Sequence, residues 1–362
     1  MRAGSRLPYS GKAAPRRRII PLEVGVGKLV ALLLLLGCAA GGFGDDSAGV
    51  YPLIFFGKVL LADTSRLELR LVGTLSPAAP GVAADAQGQI WGRLEPRHLA
   101  ALDPARGEMV ARVALRHKPQ NLLITADGKA YVTHSSLTKE GFPLSAVDTR
   151  GAALLRELHG IAGLATDLVQ AAGFVYLAAE GVRKEDNQLS YLYQIDGATD
   201  RIREALRLAD AGVYWKLATD GDLLYLGFLP TKDDPRFGRV EARKARSLDL
   251  VASWEGASGP LRALYAAGGR VLLFCGKEGD TELLVLDSLL RAVAQRRTLQ
   301  GPVARLLGVH GSTLAYLDYP FEAGYRKVNV CFYELEEGRE LRRIDIRDFL
   351  LTGTERGERL RR

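Results

Sequence analysis

The stretch Pro119 to Ser135, PQNLLITADGKAYVTHS, sets two apolar runs on either side of an Asp-Gly turn. Runs of Leu, Ile, Val, Tyr and Thr bounded by Gly and Asp read as a β-hairpin. The same unit recurs along the chain. It appears as GVAADAQGQIWG from Gly81, LATDLVQAAGFVYLAA from Leu164 and VYWKLATDGDLLYLGF from Val213, then as LRALYAAGGRVLLFCG from Leu261 and VARLLGVHGSTLAYLD from Val303. The turn glycines Gly88, Gly128, Gly173, Gly221, Gly268 and Gly311 stand 40, 45, 48, 47 and 43 residues apart. Each copy is followed by a third run ending near an acidic residue and a turn, as in LSAVDTRGAAL and YLYQIDGATDRI, and then by a fourth. Four strands in about 40–50 residues are the period of a β-propeller blade. The expected fold is all-β, a β-propeller of about seven four-stranded blades, with six or eight as the alternatives. Val50 to Leu75 supplies a short first blade, and the terminal run RRIDIRDFLL is expected to add a strand to it and close the ring.

The stretch Leu102 to His134 resembles the YVTN-type β-propeller repeat. Asp103, Pro119, Asp127, Gly128, Tyr131, Val132 and Thr133 stand in the order of that family's motif. His134 replaces its final Asn, and one residue fewer separates Asp-Gly from Tyr. The close resemblance covers about one blade. It implies the propeller fold and leaves function open, since one fold carries many functions.

The start of the chain is read separately. Arg16, Arg17, Arg18 and Lys28 precede an apolar run from Leu29 to Ala40. That run is well short of the ~20 residues a membrane-spanning helix needs and fits an export signal. It ends in Leu35-Leu36-Gly37-Cys38, which resembles the lipobox of bacterial lipoproteins and implies lipidation of Cys38. The expected organisation is a signal peptide over 1–37, the lipidated Cys and a flexible Gly-rich tether over 38–48, a propeller over 49–351 and a basic disordered tail over 352–362. The expected location is the outer side of a bacterial membrane. The whole chain carries a formal net charge of +7. Residues 1–37 hold seven Lys/Arg and one Asp/Glu, so the remainder is close to neutral at +1. Nucleic-acid binding, which draws on clustered cations, loses its support.

Enzyme signatures are sparse. The five His stand singly in the sequence, with no HExxH or paired-His pattern, and the three Cys form no CxxC. No catalytic residue, metal or cofactor is expected. Asp127, Asp196, Asp220 and Asp287 sit at turns, where side-chain hydrogen bonds to the backbone explain them. Cys275 and Cys331, on apolar strands, read as buried small hydrophobes, with a bridge between them as the alternative.

Two groups of residues remain as candidates. The strand-two-to-three loops are long and share a face with the blade-to-blade connections. Phe142, Phe237, Tyr319, Phe321 and Tyr325 lie in them as expected partner-binding anchors. Gln120, Asn121, Tyr214, Trp215, Lys216, Arg262 and Arg305 enter the innermost strands and are expected to line an axial funnel. The expected function is a monomeric, non-catalytic binding or scaffold module for an envelope or extracellular protein or polymer. The alternative is an exported enzyme or sensor acting on an anionic small molecule in the funnel.

Overall fold

A computed structural model describes residues 49–75, 81–181, 190–208, 213–229, 239–276, 279–318 and 327–359. These form seven antiparallel sheets, six of four strands and one of three. The first sheet holds β1 (Val50–Phe55), β2 (Lys58–Asp63) and β3 (Glu68–Thr74), and the second β4 (Val82–Ala84), β5 (Ile90–Glu95), β6 (His98–Asp103) and β7 (Glu108–Ala114). The third holds β8 (Pro119–Ile124), β9 (Lys129–His134), β10 (Phe142–Asp148) and β11 (Ala153–Ile161). The fourth holds β12 (Gly163–Ala171), β13 (Phe174–Gly181), β14 (Ser190–Asp196) and β15 (Arg201–Leu208). The fifth holds β16 (Val213–Thr219), β17 (Leu223–Leu229), β18 (Val240–Lys244) and β19 (Leu250–Trp254). The sixth holds β20 (Leu261–Ala267), β21 (Arg270–Cys275), β22 (Thr281–Asp287) and β23 (Val293–Leu299). The seventh holds β24 (Val303–His310), β25 (Thr313–Asp318), β26 (Asn329–Glu334) and β27 (Arg339–Asp345), followed by the single described helix, α1 (Ile346–Arg359).

The first strands of successive sheets, β4, β8, β12, β16, β20 and β24, neighbour one another in turn, and β1 stands between β24 and β4. This is a seven-bladed propeller. Because blades stack face to face, the middle strands are covered on both sides. β9 and β10 are buried along nearly their whole length, whereas the outer strand β11 is mostly exposed or half-buried. Continuous apolar runs inside and alternating ones outside are the sequence mark of that burial.

The outer turns follow one chemistry. Asp63, Asp103, Asp148, Asp196 and Asp287 each turn a carboxylate oxygen onto backbone N–H groups just ahead, at 2.7–3.0 Å for Ser65, Ala105, Arg150, Ala198 and Leu289. Of the four turn aspartates expected to serve the backbone, Asp196, Asp220 and Asp287 do so, whereas Asp127 accepts from the Thr125 hydroxyl. Blades are tied at this end by tyrosines in equivalent places on β9, β13 and β17. Tyr131 donates to Asp200 Oδ1 at 2.5 Å, Tyr176 to the Ala245 carbonyl, and Tyr225 to the Ser288 carbonyl at 3.0 Å. Each acceptor belongs to the following blade's outer turn. The Tyr of the motif is therefore an inter-blade clamp.

Two expectations need correcting. The terminal run does not add a strand to the first blade: Arg339–Asp345 pairs with β26 inside the seventh blade, and Ile346 onward is helical. The side chains of Phe349 and Leu350 pack on the cluster containing Tyr51, Leu53 and Leu69, so a helix covers the seam that a strand was expected to close. The tail expected from residue 352 is likewise helical as far as Arg359. Cys275 and Cys331 are both free and fully buried, and burial pushes each thiol up to about 12. They pack as small hydrophobes.

Candidate recognition face and axial mouth

The inner strands share a local irregularity. In β8, β12, β16, β20 and β24 the register slips by one residue near the strand's start, between Pro119 and Leu122, Ala165 and Asp167, Tyr214 and Lys216, Leu261 and Ala263, and Val303 and Arg305. A bulge leaves one residue out of the ladder and re-aims its neighbours. Five blades thus carry a bulge at the same level, where the chain enters from the preceding blade. Gln120, Asn121, Tyr214, Trp215, Lys216, Arg262 and Arg305 all stand at or beside these bulges, at the same end of their inner strands.

Much of the polar capacity there is spent holding blades together. Asn121, 1% exposed, donates from Nδ2 to the Ala165 carbonyl of the next blade at 3.3 Å. Asp167, fully buried, accepts from Leu168 N at 3.0 Å and from Leu217 N of the fifth blade at 2.8 Å. Arg262 Nε donates to the Gly276 carbonyl at 3.1 Å. Between the sixth and seventh blades, Thr281 Oγ1 accepts from Val303 N at 2.8 Å and donates to the Gly301 carbonyl at 3.0 Å. Lys216 is also buried. Two acceptors, Gln120 Oε1 and Asn121 Oδ1, are buried without a hydrogen-bond partner among the described residues.

The connections on this side are uneven. Those between second and third strands span 135–141, 182–189, 230–239, 276–280 and 319–328 in blades three to seven, but only 96–97 in blade two. In the first blade Gly49 O accepts from Thr64 N and Oγ1, each at 2.8 Å, as Gly128 O accepts from Thr149 N and Oγ1, so β1 stands in the second-strand position and 56–57 is the corresponding connection. Phe237, Tyr319, Phe321, Tyr325 and Cys38 lie outside the described residues. Phe142 does not serve as a surface anchor. It opens β10, is buried, and packs with Leu144, Leu158 and Ile161 between blades, because the loop ends one residue before it.

Sequence reasoning missed two features of this face. The first is Phe56, at the two-residue turn between β1 and β2, 73% exposed and at φ 45°. A bulky residue in the left-handed region is strained, and such strain collects at functional positions. The Phe-Gly pair inside an apolar run was the available signal. Among the described residues, the other large apolar side chain exposed on a connection is Leu137, on the same face.

The second is a histidine cluster. His117, His134 and His159 are far apart in sequence but meet where the second blade passes into the third. His117 Nε2 is 3.6 Å and His159 Nε2 3.2 Å from Glu157 Oε1, and His159 Nδ1 is 3.6 Å from Glu140. His134, fully buried, shares a 2.8 Å hydrogen bond with Ser145 Oγ, and its ring lies 5.7 Å from that of His117. Burial pushes the His134 imidazole down to about 4, outweighing hydrogen bonding to the backbone of Lys118 and His117, which favours the charged form. Spacing along the chain hid the cluster because its members come from an interblade connection, a second strand and an outer strand.

No known family description matches the chain, and no curated protein does. Solved structures do resemble it. Hydrazine synthase from Kuenenia stuttgartiensis is similar at a TM-score of 0.62 and 13% identity, over 81% of this chain and 97% of that one. The dihydro-heme d1 dehydrogenase NirN in complex with DHE is similar at 0.53 and 14%, over 84% and 75%. The computationally designed Ika8 protein is similar at 0.55 and 11%, over 84% and 90%. A likeness shared by natural and designed chains at such low identity shows the propeller fold alone.

Proposed function

We propose that this protein is an exported recognition module, anchored through a lipid on Cys38 and binding an envelope protein or polymer with the face that carries the long connections. The observation that carries the reading is the asymmetry of the ring. The long second-to-third-strand connections and the exposed apolar side chains Phe56 and Leu137 fall on one face. The opposite end carries connections as short as 172–173, 268–269 and 311–312, where tyrosine clamps are spent on the fold itself. A polar surface with a few apolar anchors is the usual composition of a non-obligate interface. Asn121 and Asp167, already engaged between blades, have less to give a reaction.

The test uses photo-cross-linking side chains introduced singly at Leu137 on the loop-bearing face and at Gln87 on the opposite face of the membrane-held protein. Adducts from position 137 and none from 87 support the reading, and the reverse pattern overturns it. In parallel, Cys38→Ala is expected to move the protein from the membrane to the soluble fraction.

A further inference from the structure

Each ring nitrogen of His159 faces a carboxylate. Nδ1 lies 3.6 Å from Glu140 Oε2, and Nε2 lies 3.2 Å from Glu157 Oε1. The two acids are held very differently. Glu157 shares β11 with His159, pairs with Ser145 of β10, and has a side chain only 8% exposed. Glu140 lies in the connection between β9 and β10, three residues after Leu137, with a side chain 71% exposed. The backbone already touches here, because Gly160 N donates to the Glu140 carbonyl at 2.9 Å.

Counting donors decides which charge state this arrangement suits. An ionised carboxylate only accepts, and a neutral imidazole has one N–H and one lone pair. A neutral His159 can therefore satisfy one of its two acids and must turn a lone pair on the other. The imidazolium donates from both nitrogens. Bridging Glu140 and Glu157 is thus the geometry of the protonated ring. When the proton leaves, one acid has to give way. Glu157 is fixed within the sheet, and its Oε2 is already buried without a hydrogen-bond partner among the described residues. Glu140, exposed and on a connection, can turn to water.

We propose that His159 is a proton-operated latch, tying the 135–141 connection to β11 when its ring is charged and releasing it when the ring is neutral. The closed form holds one proton more than the open form, so falling pH closes the latch. The surrounding groups leave that role to His159. His117, from the connection between β7 and β8, sets Nε2 3.6 Å from Glu157 Oε1, but among the described residues His159 is the one ring that reaches both acids. His134 of β9 lies behind His117, bonded to Ser145, and burial pushes it down to about 4, so it stays neutral while His159 titrates. Arg116, Lys118 and Lys139 are exposed beside His117 and Glu140. Arg112 of the adjacent outer strand β7 pairs with Glu95 at 3.0 Å, and Arg156 of β11 donates to the Thr199 carbonyl of the next blade at 3.1 Å. Tyr193 of that blade accepts from Ala162 N at 2.8 Å, its phenol raised by burial. On the reading of this face as a recognition surface, the latch governs the pose of the connection that presents Leu137.

Hydrogen exchange read by mass spectrometry tests the latch without a partner and so apart from that reading. Rates are measured at about pH 5.5 and about pH 8, either side of the ~6.5 at which an imidazole ordinarily titrates, and divided by those of an unstructured peptide at the same pH. Protection of amides 137–141 and 160 is expected to fall about 3-fold at the higher pH, the scale of a half-exposed ion pair, while residues 129–134 keep theirs. His159→Gln, which cannot titrate, and Glu140→Gln are each expected to remove the difference, and His117→Gln to leave it. Equal protection at the two pH values in the unaltered chain overturns the proposal. So does a difference that survives Glu140→Gln or His159→Gln, one that vanishes in His117→Gln, or a fall shared by residues 129–134, which would mark general loosening of the blade.

Discussion

The ring of Tyr51 occupies the space that a side chain at Gly308 would need: the three atoms nearest to a Cβ built there are all carbons of that ring. Gly308 lies on the inner strand of the last blade and Tyr51 on the first described strand of the first, so this contact closes the circle. Tyr51 is 4% exposed and packs in one cluster with Leu53, Leu307, Ala315 and Leu317. Overpacking such a site costs roughly 1–3 kcal/mol. Gly308→Ala is therefore expected to lower unfolding stability by about that much. Gly81→Ala, where a Cβ meets nothing within 4 Å, is the control expected to change little. Chemical denaturation of the two variants checks the difference, and equal stabilities would place the closure elsewhere.

Tyr225 Oη lies 2.9 Å from Asp220 Oδ2 and 3.0 Å from the Ser288 carbonyl of the next blade, two acceptors that share its single proton. Burial raises its phenol well above the usual range, with the Asp220 carboxylate adding to the effect. Tyr225→Phe keeps the ring and removes the donor, leaving two acceptors to find other partners. A loss of about 1–2 kcal/mol is expected, the usual cost of a deleted partner in a partly buried bond. Tyr131→Phe, one clamp removed, is expected to cost a similar amount. The double variant should lose the sum, because the two clamps share no acceptor.

The fold was legible because blade stacking leaves a strong mark. Central strands covered on both faces read as apolar runs, and turns needing positive φ at Gly88, Gly128, Gly173, Gly221, Gly268 and Gly311 place a glycine in each unit. The ends of the ring were misread for a physical reason. Arg339–Asp345 and Ile346–Phe349 have similar composition, and only tertiary packing decides that one extends the seventh blade while the other coils over the seam. Asn121 and Arg262 stand beside the bulges of their inner strands, and both are engaged in hydrogen bonds there. Sequence reading gave no account of Asn121's bond to Ala165, since that partner is 44 residues away. The meeting of the histidines was missed for the same reason, as nothing in the local pattern of His117 points to Glu157.

His134 predicts a pH dependence. Its folded value of about 4 lies below the ordinary 6.5, so below pH 6.5 the unfolded chain takes up a proton that the folded chain refuses. Stability from this group is complete above pH 6.5 and is lost as pH falls toward 4, to a total of roughly 3 kcal/mol at about 1.4 kcal/mol per unit. His134→Asn, which cannot titrate, is expected to flatten the slope between pH 6.5 and 4. Denaturation midpoints across that range check it, and parallel slopes for the two proteins would remove His134 as the cause.

Phe56 provides the sharpest separation of fold from function. At φ 45° a phenylalanine is held where Asn or Gly sits at lower cost, and with 73% exposure it has little packing to lose. Among the described residues its close aromatic contact is with Phe55, edge to face at 4.7 Å between ring centroids. If the strain served stability, removing it would do harm. Phe56→Asn is instead expected to raise unfolding stability by up to ~1 kcal/mol. Under the proposed function, the same variant is expected to weaken cross-linking from Leu137, because both side chains stand on the loop-bearing face. Thermal unfolding and adduct yield, measured on one preparation, must move in opposite directions. A fall in both would make Phe56 a packing residue and nothing more.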